Sequence, residues 1–111
     1  MKDNNKIIIV NNLLALAKQS KLNYKQKSKI LKIIKNLSIA TEKQKERFII
    51  YYGLDDNGVR ISNLTAIAKL DGCTMSAVRS SVISIKNKLT RLDKEFEIFK
   101  EIIGECEDIK E

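Results

Sequence analysis

Residues 61–92 read ISNLTAIAKLDGCTMSAVRSSVISIKNKLTRL, and the period of their apolar positions decides the fold. Leu64, Ile67 and Ala68 share one face of a short helix expected over about Asn63 to Leu70. Asp71-Gly72-Cys73 interrupts it, because glycine enters a left-handed helix end without steric cost. Thr74 or Ser76 can then cap a second helix with a hydroxyl. Along that helix Val78, Val82, Ile85, Leu89 and Leu92 follow at gaps of four, three, four and three, one stripe of a 3.6-residue period. The opposite face carries Ser76, Ser80, Ser84, Asn87 and Arg91, with Arg79 on its flank, and every one of these can donate a hydrogen bond. A short helix, a glycine turn and a longer helix with a donor-rich face is the arrangement of a DNA-reading helix-turn-helix. It is also a common helix pair of all-helical proteins, so these residues alone leave both readings open.

The stretch from residue 41 to 92 resembles region 4 of bacterial RNA polymerase sigma factors. Thr41-Glu42-Lys43-Gln44-Lys45-Glu46-Arg47 is similar to the opening of that domain, and Phe48-Ile49-Ile50-Tyr51-Tyr52-Gly53-Leu54 to its VLRLRYGL segment. Asp55-Asp56-Asn57-Gly58 stands at the family's loop, Leu64 to Gly72 resembles its first helix of the pair, and Val78-Arg79 with Lys88-Leu89 resembles its second. The resemblance covers just under half of the chain. Two features depart from it. Asp71 stands where the family carries an apolar residue, and Met75, Ser76, Ala77 and Ser80 occupy positions where it presents Arg, Glu and Gln.

The resemblance implies that the helix from Thr74 to Leu92 enters the major groove. Ser76, Arg79 and Ser80 would then face base edges, and Thr74 at the start of the helix is a further expected DNA-binding residue. Arg60, Lys86, Asn87, Lys88 and Arg91 would hold phosphates. Arg79 is the residue there able to make a bidentate contact to guanine. Double-stranded DNA is the expected partner, and RNA polymerase or a sigma partner is the expected alternative, since region 4 also grips the polymerase. A DNA-packaging subunit of a phage is a further alternative.

Composition narrows the classes. The 111 residues suit one domain with a modest core, at 43% hydrophobic content and with no proline. That length favours about five helices with short connections. Net charge is +7, unevenly placed: residues 1–92 hold 18 basic and 6 acidic side chains, a net of +12, while residues 93–111 hold 3 basic and 8 acidic, a net of −5. A basic body suits a polyanion, although 17 of the 21 cations are lysine, the usual solubilising residue. Without histidine, Ser-His-Asp and Cys-His catalysis are excluded. Cys73 and Cys106 form no CxxC or Cys/His cluster, so neither a metal site nor a cofactor is expected, and Cys73 reads as a small apolar residue. Ile7 to Val10 is too short to span a membrane and no signal peptide stands out, so a cytoplasmic, non-enzymatic protein is expected.

Three segments follow from the remaining periodicity. Residues 1–40 hold two helices, 41–92 the region 4-like part, and 93–111 an acidic C-terminal helix. Lys6 to Gln19 mixes four β-branched residues with Leu13, Leu14, Leu16 and Ala17, and it is assigned as helix because no partner strand exists elsewhere. Its Ile9, Leu13, Leu16 face is core or a dimer contact. Ser20 to Asn23 is a turn, and Tyr24 to Leu37 an amphipathic helix burying Ile30, Ile33, Ile34 and Leu37. Lys18 to Leu37 contains seven lysines and no acid, a solvated face or a contact for phosphates or an acidic partner. Thr41 caps a helix from Glu42 to Tyr52, and Leu54 to Ser62 is a loop. Asp93 precedes a last helix through about Ile109, with Phe96, Phe99, Ile102, Ile103 and Cys106 on one face. That face covers the body or pairs with a second subunit. The two terminal helices are the expected homodimer contacts, because a domain of this size has few partners for both. The fold class is all-α.

Overall fold

Four polar side chains start four of the helices. Asn23 Oδ1 accepts from Gln26 N–H at 2.8 Å while Gln26 Oε1 accepts from Asn23 N–H at 2.9 Å, a reciprocal pair that satisfies two otherwise orphaned donors. Thr41 and Gln44 repeat it at 3.1 and 3.2 Å. Asn63 Oδ1 accepts from Thr65 and Ala66 N–H, and Thr74 Oγ1 from Ala77 N–H at 3.1 Å, which selects Thr74 over Ser76 as the cap. Caps of this kind contribute about 1 kcal/mol each.

The computed structural model describes residues 4–55 and 63–108. Within them the chain forms α1 (Asn4–Lys18), α2 (Tyr24–Lys35), α3 (Glu42–Tyr52), α4 (Leu64–Asp71), α5 (Met75–Leu89) and α6 (Lys94–Asp108), and no strand. Six helices form where the length suggested about five, one in each of the six segments that periodicity marked as helical. None of the described helices is long and apolar enough to cross a membrane.

Two helices end earlier than their apolar stripes predict. α2 stops at Lys35 rather than Leu37, because Asn36 and Leu37 N–H tighten onto Ile33 and Ile34 carbonyls and the Lys45 ammonium takes the freed Lys35 carbonyl at 3.0 Å. Lys45 is 6% exposed, a lysine buried to cap a neighbouring helix. α5 stops at Leu89 rather than Leu92, where Thr90 Oγ1 donates to the Asn87 carbonyl at 2.7 Å. Gly53 and Gly72 close α3 and α4 at φ +67° and +64°. A Cβ on Gly72 would meet nothing within 4 Å, so glycine is needed there for its backbone conformation and not for space.

α3 is the hub. It packs chiefly on α5 and also touches α1, α2 and α4, while α6 lies on α1 and α2. One core runs through both halves, with Phe48 of α3 and Phe99 of α6 its largest fully buried side chains. In α1 the buried set is Val10, Leu13, Leu14 and Ala17; Ile9 and Leu16 are half-buried, so the face is rotated from the expected Ile9, Leu13, Leu16 line. In α6 Phe99, Ile102 and Ile103 are buried and Phe96 and Cys106 half-buried, on the expected face. The apolar faces of the terminal helices thus cover the body and each other within one chain, which removes the reason given for placing a dimer contact on them. Asp93 stands just before α6, and its carboxylate pairs with Lys6 of α1.

The Asp71 departure has a partner. Arg47 Nε of α3 donates to Asp71 Oδ2 at 2.7 Å, and its Nη1 donates to Ser81 Oγ of α5 at 3.0 Å. Ser81 Oγ donates in turn to the Ala77 carbonyl at 3.1 Å. Side chains of the pair are 15% and 19% exposed, so the guanidinium bonds stand largely out of water. Asp71→Ala is expected to destabilise the fold by about 1–3 kcal/mol, and a double-mutant cycle with Arg47→Ala to show coupling above about 0.5 kcal/mol, measured by urea unfolding. Additive losses would mean the pair does not act as a unit.

Tyr52 is buried beside Phe48 and Tyr51, with ring centroids 4.7 and 4.9 Å away. Burial first, and the neighbouring Tyr51 second, push its phenol from 10.0 up to about 12. The folded state therefore disfavours the phenolate. Stability from this group is intact below pH 10 and falls as pH rises from 10 through about 12. Tyr52→Phe should show a shallower alkaline loss of stability than the parent across that window, read from chemical-denaturation midpoints. Parallel losses would contradict it.

Candidate nucleic-acid interface

α5 is oriented from one side. Val78, Val82, Ile85 and Leu89 are buried, and Ser81 joins them through its bonds to Arg47 and Ala77. The turn before it is three residues long: Cys73 N–H bonds to the Ala68 carbonyl at 3.0 Å, Gly72 adopts positive φ, and Thr74 caps. Cys73 packs half-buried against the core. α4 contributes buried Ile67 and Ala68 and half-buried Leu64. α3, α4 and the turn between α4 and α5 therefore hold α5, and its far face has a defined aspect.

Ser76, Arg79 and Ser80 are all exposed and sit at i, i+3 and i+4, on the first half of α5, with exposed Asn87 two turns further along. The span from Gly72 to Leu92 contains no acidic residue, and the N-terminal end of a 15-residue helix adds partial positive charge. The expected contact residues divide as follows. Ser76, Arg79, Ser80 and Asn87 come together on one surface. Thr74 is exposed at its edge, its hydroxyl oxygen occupied as the cap. Lys88 is half-buried on the other flank and donates to Ser84 Oγ at 2.8 Å, so it is tied to its own helix. Arg91 is exposed but stands beyond the Thr90 cap, off the helix. Arg60 lies outside the described residues.

Two features of this surface escaped the sequence reading. It is not wholly polar: Ile83 is 48% exposed in line with the serines, Met75 is 43% exposed one turn before Arg79, and Leu70 at the end of α4 is 67% exposed. The 3.6-residue period places Ile83 opposite the buried stripe, so its signal was present. The second feature is a groove between α5 and α3, lined by Tyr51, Tyr52, Leu64, Arg79, Val82, Ile83 and Lys86. Lys18 of α1 reaches its rim, donating to the Tyr51 hydroxyl at 2.9 Å with its ammonium 4.5 Å from the ring centroid. Arg79 and Lys86 thus line the groove, and Lys18 adds a third cation at its rim. No local pattern connects Lys18 to residues more than thirty positions away.

The surface can offer hydroxyl donors, one planar guanidinium and flanking ammonium groups to an acceptor-rich ligand. Asp71, the carboxylate next to this segment in sequence, is engaged, since it is held by Arg47 and lies 3.8 Å from Lys43. Neither a family model, nor a curated protein, nor a solved structure matches this chain.

Proposed function

We propose that this chain is a small DNA-binding transcription regulator of bacterial or phage type that lays α5 in the major groove. The observation that carries the reading is the exposed Ser76, Arg79, Ser80 face, presented by a helix whose other side is fixed on α3 and α4 and whose surroundings from 72 to 92 are free of acid. Arg79 would read guanine O6 and N7 with its two parallel N–H groups. Ser76 and Ser80 would supply single hydrogen bonds, and Asn87, Lys86 and Arg91 would bind phosphate oxygens and set the register. A second copy on an adjacent half-site would add affinity. With the terminal helices used internally, exposed Ile7 and Ile8 of α1 are the apolar side chains left there for such a contact.

A second reading has its own support. Leu70, Met75 and Ile83 are exposed apolar side chains on or beside the same surface, which suits docking on a protein such as RNA polymerase or a sigma partner. The two readings separate on salt. DNA binding falls steeply with ionic strength, whereas an apolar protein contact does not.

Arg79→Ala is expected to fold normally, to cost roughly 1–3 kcal/mol of affinity for a selected duplex, and to relax preference at one base pair. Arg91→Ala should weaken all duplexes alike and lower the salt slope by about one unit. Selection from random duplexes followed by affinity measurement against salt tests both. An Arg79→Ala variant with unchanged affinity and preference would hand the case to the protein-docking reading.

A further inference from the structure

α2 carries a charged surface that the reading of α5 does not use. Lys25, Lys29 and Lys32 are exposed and follow at gaps of four and three, one line along the helix. Ile30 and Ile34, both fully buried, occupy the opposite side. Neighbouring like charges at these spacings repel by about 0.2–0.5 kcal/mol each. A face that serves only solubility relieves this with interleaved acids, as α3 and α6 do. α3 pairs Lys43 with Glu46 at 3.5 Å and Lys45 with Glu42 at 3.6 Å, and α6 pairs Lys100 with Glu97 at 3.2 Å. α2 has no acid of its own to pair with. The one described ion pair on the ridge is Lys29 with Glu101 of α6, at 4.0 Å and with both side chains exposed.

The ridge also has a position. A groove lined by Lys32, Asn36, Leu92, Glu95 and Ile98 joins its C-terminal end to the segment that directly follows Arg91. It therefore starts where the basic end of α5 stops, with Glu95 as the acid at the junction.

We infer that the α2 lysine ridge is a second contact for the sugar-phosphate backbone of duplex nucleic acid, independent of base reading by α5. A polyanion converts the mutual repulsion of the lysines into attraction and gains from counterion release. Lysine serves phosphate as a point charge without sequence preference, which matches a ridge lacking arginine. A membrane surface fits less well, because the apolar face that α2 would insert is already in the core.

The test uses the full chain and a mixed-sequence duplex of about 24 base pairs, twice the roughly 12 that the 42 Å length of the molecule covers at 3.4 Å per step. A Lys25→Gln/Lys29→Gln/Lys32→Gln variant should keep its helical circular dichroism and its urea midpoint. It should lower the slope of log affinity against log salt by about two to three units, roughly 0.9 per phosphate contact. Base preference should not change. Arg79→Ala should leave this slope component in place, so loss of the α5 reading and loss of the ridge are separately visible. A folded triple variant with the parent's slope overturns the inference. So does a parent chain that ignores duplex at low salt while binding anionic phospholipid vesicles through the same lysines.

Discussion

Arg47 ties three helices together. Its guanidinium meets Asp71 at the end of α4 and Ser81 in the middle of α5 while its own backbone belongs to α3. α5 is thus fixed in rotation as well as in distance. Rotation matters more than distance here: a helix turned by one residue would carry Ser76 and Ser80 toward the core and Val78 toward water. The apolar stripe chooses the buried face, and the forked donor between a carboxylate and a hydroxyl narrows the rotation further, because hydrogen bonds are directional. Asp71 is the acid this arrangement requires.

Around that hub the chain divides its work. α3, α4 and α5 form the half whose surface is proposed to meet DNA, and α1, α2 and α6 form a platform under it. The platform is where the uneven charge of the sequence resolves. The acidic helix α6 lies against α1 and the lysine-rich α2 within the same chain, with Gln26 donating to Glu105 at 2.8 Å and Lys29 facing Glu101. Part of the +12 of residues 1–92 is therefore screened on the platform, while the surface of α5 meets no such acid from its own segment. That contrast concentrates positive potential on the working face and on the outer edge of α2.

Exposed Met75 and Ile83 give the α5 surface a mixed character. In a major groove, an apolar side chain beside serines can meet a thymine methyl. On a protein surface the same side chains would be the centre of a contact. One face can serve either partner, and Arg79 and Lys86 in the groove with Lys18 at its rim add cations that suit acceptor-rich ligands.

Helix existence and most helix starts were legible in the residues, because capping and period are local: Thr41, Asn63 and Thr74 act within three positions of themselves. The stripe Val78, Val82, Ile85, Leu89 was legible for the same reason, and so were Ser76, Arg79 and Ser80 opposite it. Helix ends were less so, since α2 stops where a buried lysine from α3 takes its carbonyl, a contact ten residues away. The β-branched run of α1 is helical because its leucines find α6 and α3, not because of its own propensity. Pairing of the two terminal helices within one chain, the Arg47–Asp71–Ser81 link and the arrival of Lys18 at Tyr51 were decided by tertiary structure alone. Each joins residues 24 or more positions apart, and sequence periodicity specifies which face a helix buries but carries no information on which other face will cover it.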